Sequence, residues 1–222
     1  DIHPDWNITV YPVADGGEGT LEALTYHQSV TKRTCTVTGS LGNPVEASYL
    51  WYGRGSERTA VIEMAQAAGL PLVPADKRNP LCTTTYGVGE LIRDSIDQGC
   101  RKFIIGIGGS ATNDAGIGML QALGYHFYDK DGRDISFGAK ELAKITDIDL
   151  EDVLHDLSKC HFRIACDVKN PLVGEQGCSK VYGPQKGATA MDIEEMDRSM
   201  VQFADLVERI AADGRKGISR NG

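Results

Sequence analysis

The chain has 222 residues, 41% hydrophobic and 24% charged, enough for a real core in one large domain or two small ones. Its formal net charge of -8 argues against nonspecific nucleic-acid binding, and no apolar run is long enough to span a membrane. The six cysteines include no Cys-x-x-Cys pair and the opening residues lack a signal-peptide pattern, so reduced, mostly buried thiols in a cytoplasmic protein are expected.

In chain order, "NITVYPV" (7–13) predicts a strand, "ADGGEG" a turn, and Leu21 and Leu24 the inner face of a helix. Alternation and β-branched or aromatic residues predict strands in "SVTKRTCTVTG", "VEASYLWYG" and "RTAVIEMA". Glu63 lies inside the last of these, where a carboxylate is costly unless it faces water or meets Arg, Lys or a ligand. Prolines 71, 74 and 80 then punctuate a crossing between substructures. A helix follows through Val88, Leu91, Ile92 and Ile96, with Gly99 at its end. "KFIIGI" has the continuous apolar character of a parallel-sheet strand. A helix is expected from about Asn113, strands at "HFY" and "FRIAC", and a last helix capped by Asp192 with Glu195 as its capping-box partner. This alternation of strand and helix predicts an α/β core with a parallel sheet.

The most telling stretch is "GIGGSATND", at the carboxyl end of a strand, where open α/β sheets bind ligands. Gly108 and Gly109 allow close backbone approach, and Ser110, Thr112 and Asn113 supply directed hydrogen bonds. Asp114 could accept a proton or hold a metal; a tight turn with a helix cap is the bland reading of the same residues. Asp15, beside two glycines, and Asp167, after "FRIAC", are two further strand-end acids suited to Mg²⁺. Arg78, next to Asn79, offers a planar fork for a carboxylate, and Lys186 a point charge for phosphate. Lys77 and Glu22 read as solvated. No G-x-x-x-x-G-K-[ST] motif occurs, and the scattered histidines argue against a triad or zinc site. One competing pattern exists. Gly106, Gly108 and Ala111 fit G-x-G-x-x-A, with Asp129 where a ribose-binding acid would stand, the mark of an NAD-dependent oxidoreductase.

Taken together, "VADGGEGT", "IEMAQAAGL", "KRNPLCTTTYGVGELI", "GIGGSATNDAGIGMLQALG", "ACDVKNPLVGEQG" and "GPQKGA" resemble the glycerate kinase type 1 family, in the family's order and over about Val13 to Ala190. The resemblance implies ATP-dependent, Mg²⁺-assisted phosphorylation of D-glycerate, usually to 2-phosphoglycerate. It implies two α/β substructures around a cleft: residues 77–213 flavodoxin-like, and residues 1–76 part of a restriction-endonuclease-like domain, with 214–222 a tail. Under it, the catalytic set is Asp114, Asp167, Asp15 and Lys186, with Asp15 and Asp167 as metal ligands. Substrate would meet Arg78, Asn79, Gly108, Gly109, Ser110, Thr112 and Asn113. Small-molecule partners are expected, with neither nucleic acid nor membrane, and with room for a homo-oligomer. The family opens with a D-S-F-K-G-S-type segment and continues into a glycine- and alanine-rich part, neither seen here, so the chain reads as a fragment. A truncated, non-catalytic module that binds a sugar acid or anion is therefore an alternative. The family often has Gly where Ala115 stands.

Overall fold

The computed structural model describes residues 6–27 and 29–212; the expected tail 214–222 lies outside the described residues. Three strands form first: β1 (Thr31–Thr38), β2 (Pro44–Tyr52) and β3 (Thr59–Glu63). Each follows the alternating or β-branched pattern of its sequence, and the two pairings between them are antiparallel. The short helix α2 (Ala65–Ala68) and the longer α3 (Tyr86–Asp97) then lead to β4 (Lys102–Gly106). β4 joins β3 in parallel, Glu63 opposite Gly106. β7 (His161–Ala165) joins the other side of β4, also in parallel. The result is one five-stranded mixed sheet in the order β1-β2-β3-β4-β7. The fold is thus α/β, its parallel part confined to β3, β4 and β7. The expected boundary between 1–76 and 77–213 falls within this sheet, because β3 and β4 are neighbours in it.

Three clusters bury the apolar side chains. On one face of the sheet, Tyr49, Ile62 and Phe103 pack against Leu91 and Ile92 of α3. On the other, α1 (Thr20–His27) places Leu21 against Leu50 and Val61. A separate cluster is built on the 23-residue helix α6 (Ala190–Ala212), whose Met196, Met200, Phe203 and Ile210 meet Ile117, Phe127 and Ile148. Phe127 and Ile148 come from a two-stranded antiparallel ribbon, β5 (His126–Tyr128) and β6 (Asp147–Asp149). β6, "DID", has one apolar residue and no legible strand pattern.

Several expectations change. Residues 7–13 form no strand: Val10 is 81% exposed and Val13 88% exposed, and the segment joins no sheet. Its apolar pattern marks a segment able to pair, but strand geometry holds only where a ladder satisfies the backbone. β7 is the outer strand of the sheet, with Phe162 and Ile164 partly exposed. All six cysteines are unpaired, yet only Cys100 is fully buried; Cys82 and Cys166 are exposed. Among the described residues, no helix is long and apolar enough to cross a membrane.

The cap of α6 lies three residues earlier than the expected Asp192. The Thr189 hydroxyl accepts the Asp192 amide at 3.2 Å, and the Asp192 carboxylate accepts the Thr189 amide at 2.8 Å. This is the reciprocal capping box, with Thr189 as cap and Asp192 as its partner. Thr189→Ala should destabilise the chain by about 1 kcal/mol, lowering Tm by about 2–4 °C, whereas Thr189→Ser should be nearly neutral. Thermal unfolding of both variants measures the difference.

Candidate functional site

The parallel strands β3, β4 and β7 end on the same side of the sheet, and two glycine turns meet there. The turn after β4 carries Gly108–Asn113. The turn before α1 carries Asp15–Gly19. Their backbones touch: the Gly108 amide donates to the Gly16 carbonyl at 3.2 Å. A Cβ on Gly106 would lie 2.3 Å from that same carbonyl oxygen, and one on Gly108 2.6 Å from the Gly17 Cα. The spacing that resembles a dinucleotide fingerprint is therefore used by the chain for its own packing. Asp129, the acid of that fingerprint, accepts the Asp131 and Arg133 amides in a surface turn and does not line the cleft.

Around this contact lies a cleft of about 890 Å³. It is lined by Asp15, Gly108, Gly109, Ser110, Thr112, Asn113, Asp114, Asp167 and Lys186, so most of the expected site residues converge. Its remaining wall is largely apolar and includes Met64, Ile105, Met119, Ile164, Met200 and Tyr182. Arg78 and Asn79 do not line it. The Arg78 guanidinium donates to the Val73 carbonyl at 3.3 Å, and the Asn79 side chain accepts the Leu81 amide. Arg78 backs onto Gly187, where a Cβ would meet the Arg78 carbonyl oxygen at 2.3 Å, so it stands behind Lys186.

Lys186 is the charge at the floor. Its residue is 7% exposed, and Nζ donates to the Ser110 hydroxyl at 3.0 Å and to the Thr112 carbonyl at 2.6 Å. Burial lowers its pKa to about 8, opposed by nearby Cys178 and Asp114. Gly109 has φ +73°, a conformation that suits glycine and lets the turn fold over Nζ. Asn113 is tied down from behind, donating to the Ser179 hydroxyl at 2.9 Å.

Asp114 is buried beneath the turn. One oxygen accepts the Thr85 amide at 2.9 Å and the Thr85 hydroxyl at 2.8 Å; the other accepts the Gly116 amide at 3.1 Å. The Gly118 amide is a longer fourth donor at 3.4 Å. Burial pushes its carboxyl above the usual range, while these donors pull the other way. Asp114 thus joins the start of α3 to the start of α4 (Ile117–Ala122). α4 begins later than expected because Ala115 and Gly116 both take left-handed conformations, φ +51° and +76°. Thr85 was not singled out in the sequence; the three-threonine run before α3 was its signal.

Asp15 and Asp167 occupy the rim. The Asp15 carboxylate accepts the Gly17 amide at 2.9 Å. Gly16 packs against Ala165, where a Cβ would lie 2.6 Å from the carbonyl oxygen, which brings the two acids' segments together. Among the described residues no three His, Cys, Asp or Glu side chains gather as a metal cage. Mg²⁺ commonly takes one or two carboxylates and completes its shell with phosphate and water, so rim acids of this kind are the residues here that could hold one.

A ligand-binding α/β protein of the strand-end type is the class these features define. The chain belongs to the glycerate kinase family, whose model matches residues 1–221. It is 48% identical over 208 residues to a glycerate kinase of Haemophilus influenzae and 48% identical over 209 residues to a glycerate 2-kinase of Escherichia coli. Each match covers 94% of this chain and 54% of the relative. A crystal structure from Salmonella typhimurium LT2, described as a glycerate kinase 2, superposes with a TM-score of 0.85 at 48% identity, covering 94% of this chain and 55% of that one. The chain therefore spans about half the length of the curated relatives it matches.

The strained Ala115 gives a direct test. A residue with a Cβ in this region costs about 1–2 kcal/mol, and glycine returns part of that gain through unfolded-state entropy. Ala115→Gly should therefore stabilise the chain by about 0.5 kcal/mol, raising Tm by about 1–2 °C in thermal unfolding.

Proposed function

We propose that this chain carries the strand-end part of a kinase that transfers the terminal phosphoryl group of ATP to a hydroxyl of D-glycerate, giving 2-phosphoglycerate. Family membership supports the reaction. The observation that carries the site is Lys186 Nζ, buried and held against the glycine turn at the floor of the cleft. Phosphoryl transfer needs alignment and charge neutralisation more than covalent participation by the protein.

In this reading, Gly108, Gly109, Ser110, Thr112 and Asn113 bind an anionic group of the substrates through backbone and side-chain donors, with Lys186 supplying the full charge. Asp15 would hold Mg²⁺, and Asp167, on the other side of the Gly16–Ala165 contact, would share the ion or take the hydroxyl proton. The ion, when bound, neutralises charge on the transferring phosphate. Asp114 acts from below: its bonds to Thr85 and Gly116 fix the turn that the substrates meet. Arg78 packs its backbone against Gly187, next to Lys186, and neither it nor Asn79 clamps the substrate carboxylate in this reading.

The test is a coupled ADP-release assay with ATP, Mg²⁺ and D-glycerate, on this chain alone and joined to the further segments that its relatives carry. ADP formation that depends on glycerate, with 2-phosphoglycerate as product, is the expected result. Glycerate binding in calorimetry without ADP from either protein would make the chain an anion-binding module instead. Gly109→Val forces a β-branched residue to positive φ and should abolish turnover while the chain stays folded; Ser110→Ala removes one hydrogen bond and should cost at most about tens of times in rate.

Lys186 imposes a pH dependence. As pH rises through about 8, Nζ loses its proton and half-saturation by the anionic substrates should rise. Lys186→Arg, which keeps its charge, should flatten that dependence. Stability moves oppositely. An unfolded lysine titrates near 10.4, so between about 8 and 10.4 the unfolded chain binds more protons and the lysine's contribution to stability grows with pH. Kinetics and thermal unfolding from pH 7 to 10 follow both trends.

A further inference from the structure

Glu63 is the last residue of β3 and is 2% exposed. The site reading gives it no role. Its sequence setting raised contact with water or with Arg, Lys or a ligand; the structure buries the carboxylate and gives it two amide donors. Oε1 accepts the Leu21 amide, in the first turn of α1, at 2.7 Å, across 42 positions of sequence. Oε2 accepts the Gln66 side-chain amide at 3.1 Å. The partial positive charge of a helix start is what favours a carboxylate here.

Its position joins both glycine turns. Toward Asp15, the Leu21 bond anchors α1, the Thr20 hydroxyl donates to the Gly17 carbonyl at 2.8 Å, and the Gly17 amide binds Asp15. Toward the other turn, Glu63 pairs in register with Gly106, and the next residue, Met64, donates its amide to the Gly106 carbonyl at 2.9 Å. α2 follows, and the Ala111 amide donates to the Ala68 carbonyl at 2.8 Å. The Leu70 amide donates to the Gly109 carbonyl, also at 2.8 Å.

We infer that Glu63 is a positioning residue: its carboxylate clamps the start of α1 and so fixes the Asp15 turn over the Gly108–Asn113 turn. The clamp stands on the geometry alone; its effect on turnover rests on the kinase reading, in which Asp15 holds Mg²⁺.

The experiment compares wild type, Glu63→Gln, Glu63→Ala, Asp15→Ala and the Glu63→Ala/Asp15→Ala double variant. Amide hydrogen exchange comes first. Glu63→Ala should speed exchange in peptides covering 15–21 by about tenfold or more, with the centres of β3 and β4 still protected. Glu63→Gln keeps an oxygen for the Leu21 amide and should give a smaller rise, about threefold; if the alanine variant does not fold, this variant decides. Unchanged exchange at 15–21, or equal loosening of β3 and β4, overturns the inference. In kinetics, Glu63→Ala should raise half-saturating Mg²⁺ by about tenfold and leave the glycerate KM within about twofold. The double variant should be no worse than Asp15→Ala alone; additive losses would show that Glu63 does not act through Asp15. If wild type, both alone and joined to the further segments its relatives carry, releases no ADP with glycerate, the kinase reading falls while the exchange result still decides the clamp.

Discussion

The organisation of this molecule depends on one close approach of two backbones. The Gly16 carbonyl accepts the Gly108 amide where neither chain has room for a side chain. Any residue with a Cβ at 106 or 108 would push the turns apart. That contact sets where β4 ends, where α1 begins and which faces of both turns look into the cleft. Glycine here is a packing requirement before it is a means of binding a ligand.

Around that contact, Lys186 and Asp114 are buried while Asp15 and Asp167 are exposed at the rim. The acidic chain carries its local cation, Lys186, at the bottom of the cleft, where desolvation costs the most. The Ser110 hydroxyl and Thr112 carbonyl compensate part of that cost. Asp114 is the opposite case, with donors from two helix starts already on its oxygens. Two buried ionisable groups thus have different surroundings: Lys186 meets two acceptors of one turn, and Asp114 meets donors from two helix starts.

Much of this was legible in the sequence because it is local. β1, β2, β4 and α3 follow from alternation, apolar runs and helical spacing, which report the burial of one face. The cluster from Gly108 to Asp114 and the rim acids were found by strand-end chemistry. Failures came where the answer lies elsewhere in the chain. Residues 7–13 have the pattern of a strand, but pattern records a capacity to pair, not a partner. Arg78 was chosen for its guanidinium, and residue type says nothing about direction; it points to Val73. The cap at Thr189 was missed because Asp192 and Glu195 offer the same spacing three residues on. The Leu21 partner of Glu63 was beyond reach, being 42 residues away and a backbone amide rather than a charge.

β7, the outer strand, has a further consequence. Its outward row of backbone donors and acceptors, with Phe162 and Ile164 partly uncovered beside it, is a template on which another extended chain can add. Residues 7–13 also join no sheet and leave Ile8, Val10 and Val13 exposed. The net charge of -8 opposes that association at long range, and salt screens the opposition. Colloidal behaviour in concentrated, high-salt solution is thus written into the same sheet that builds the cleft.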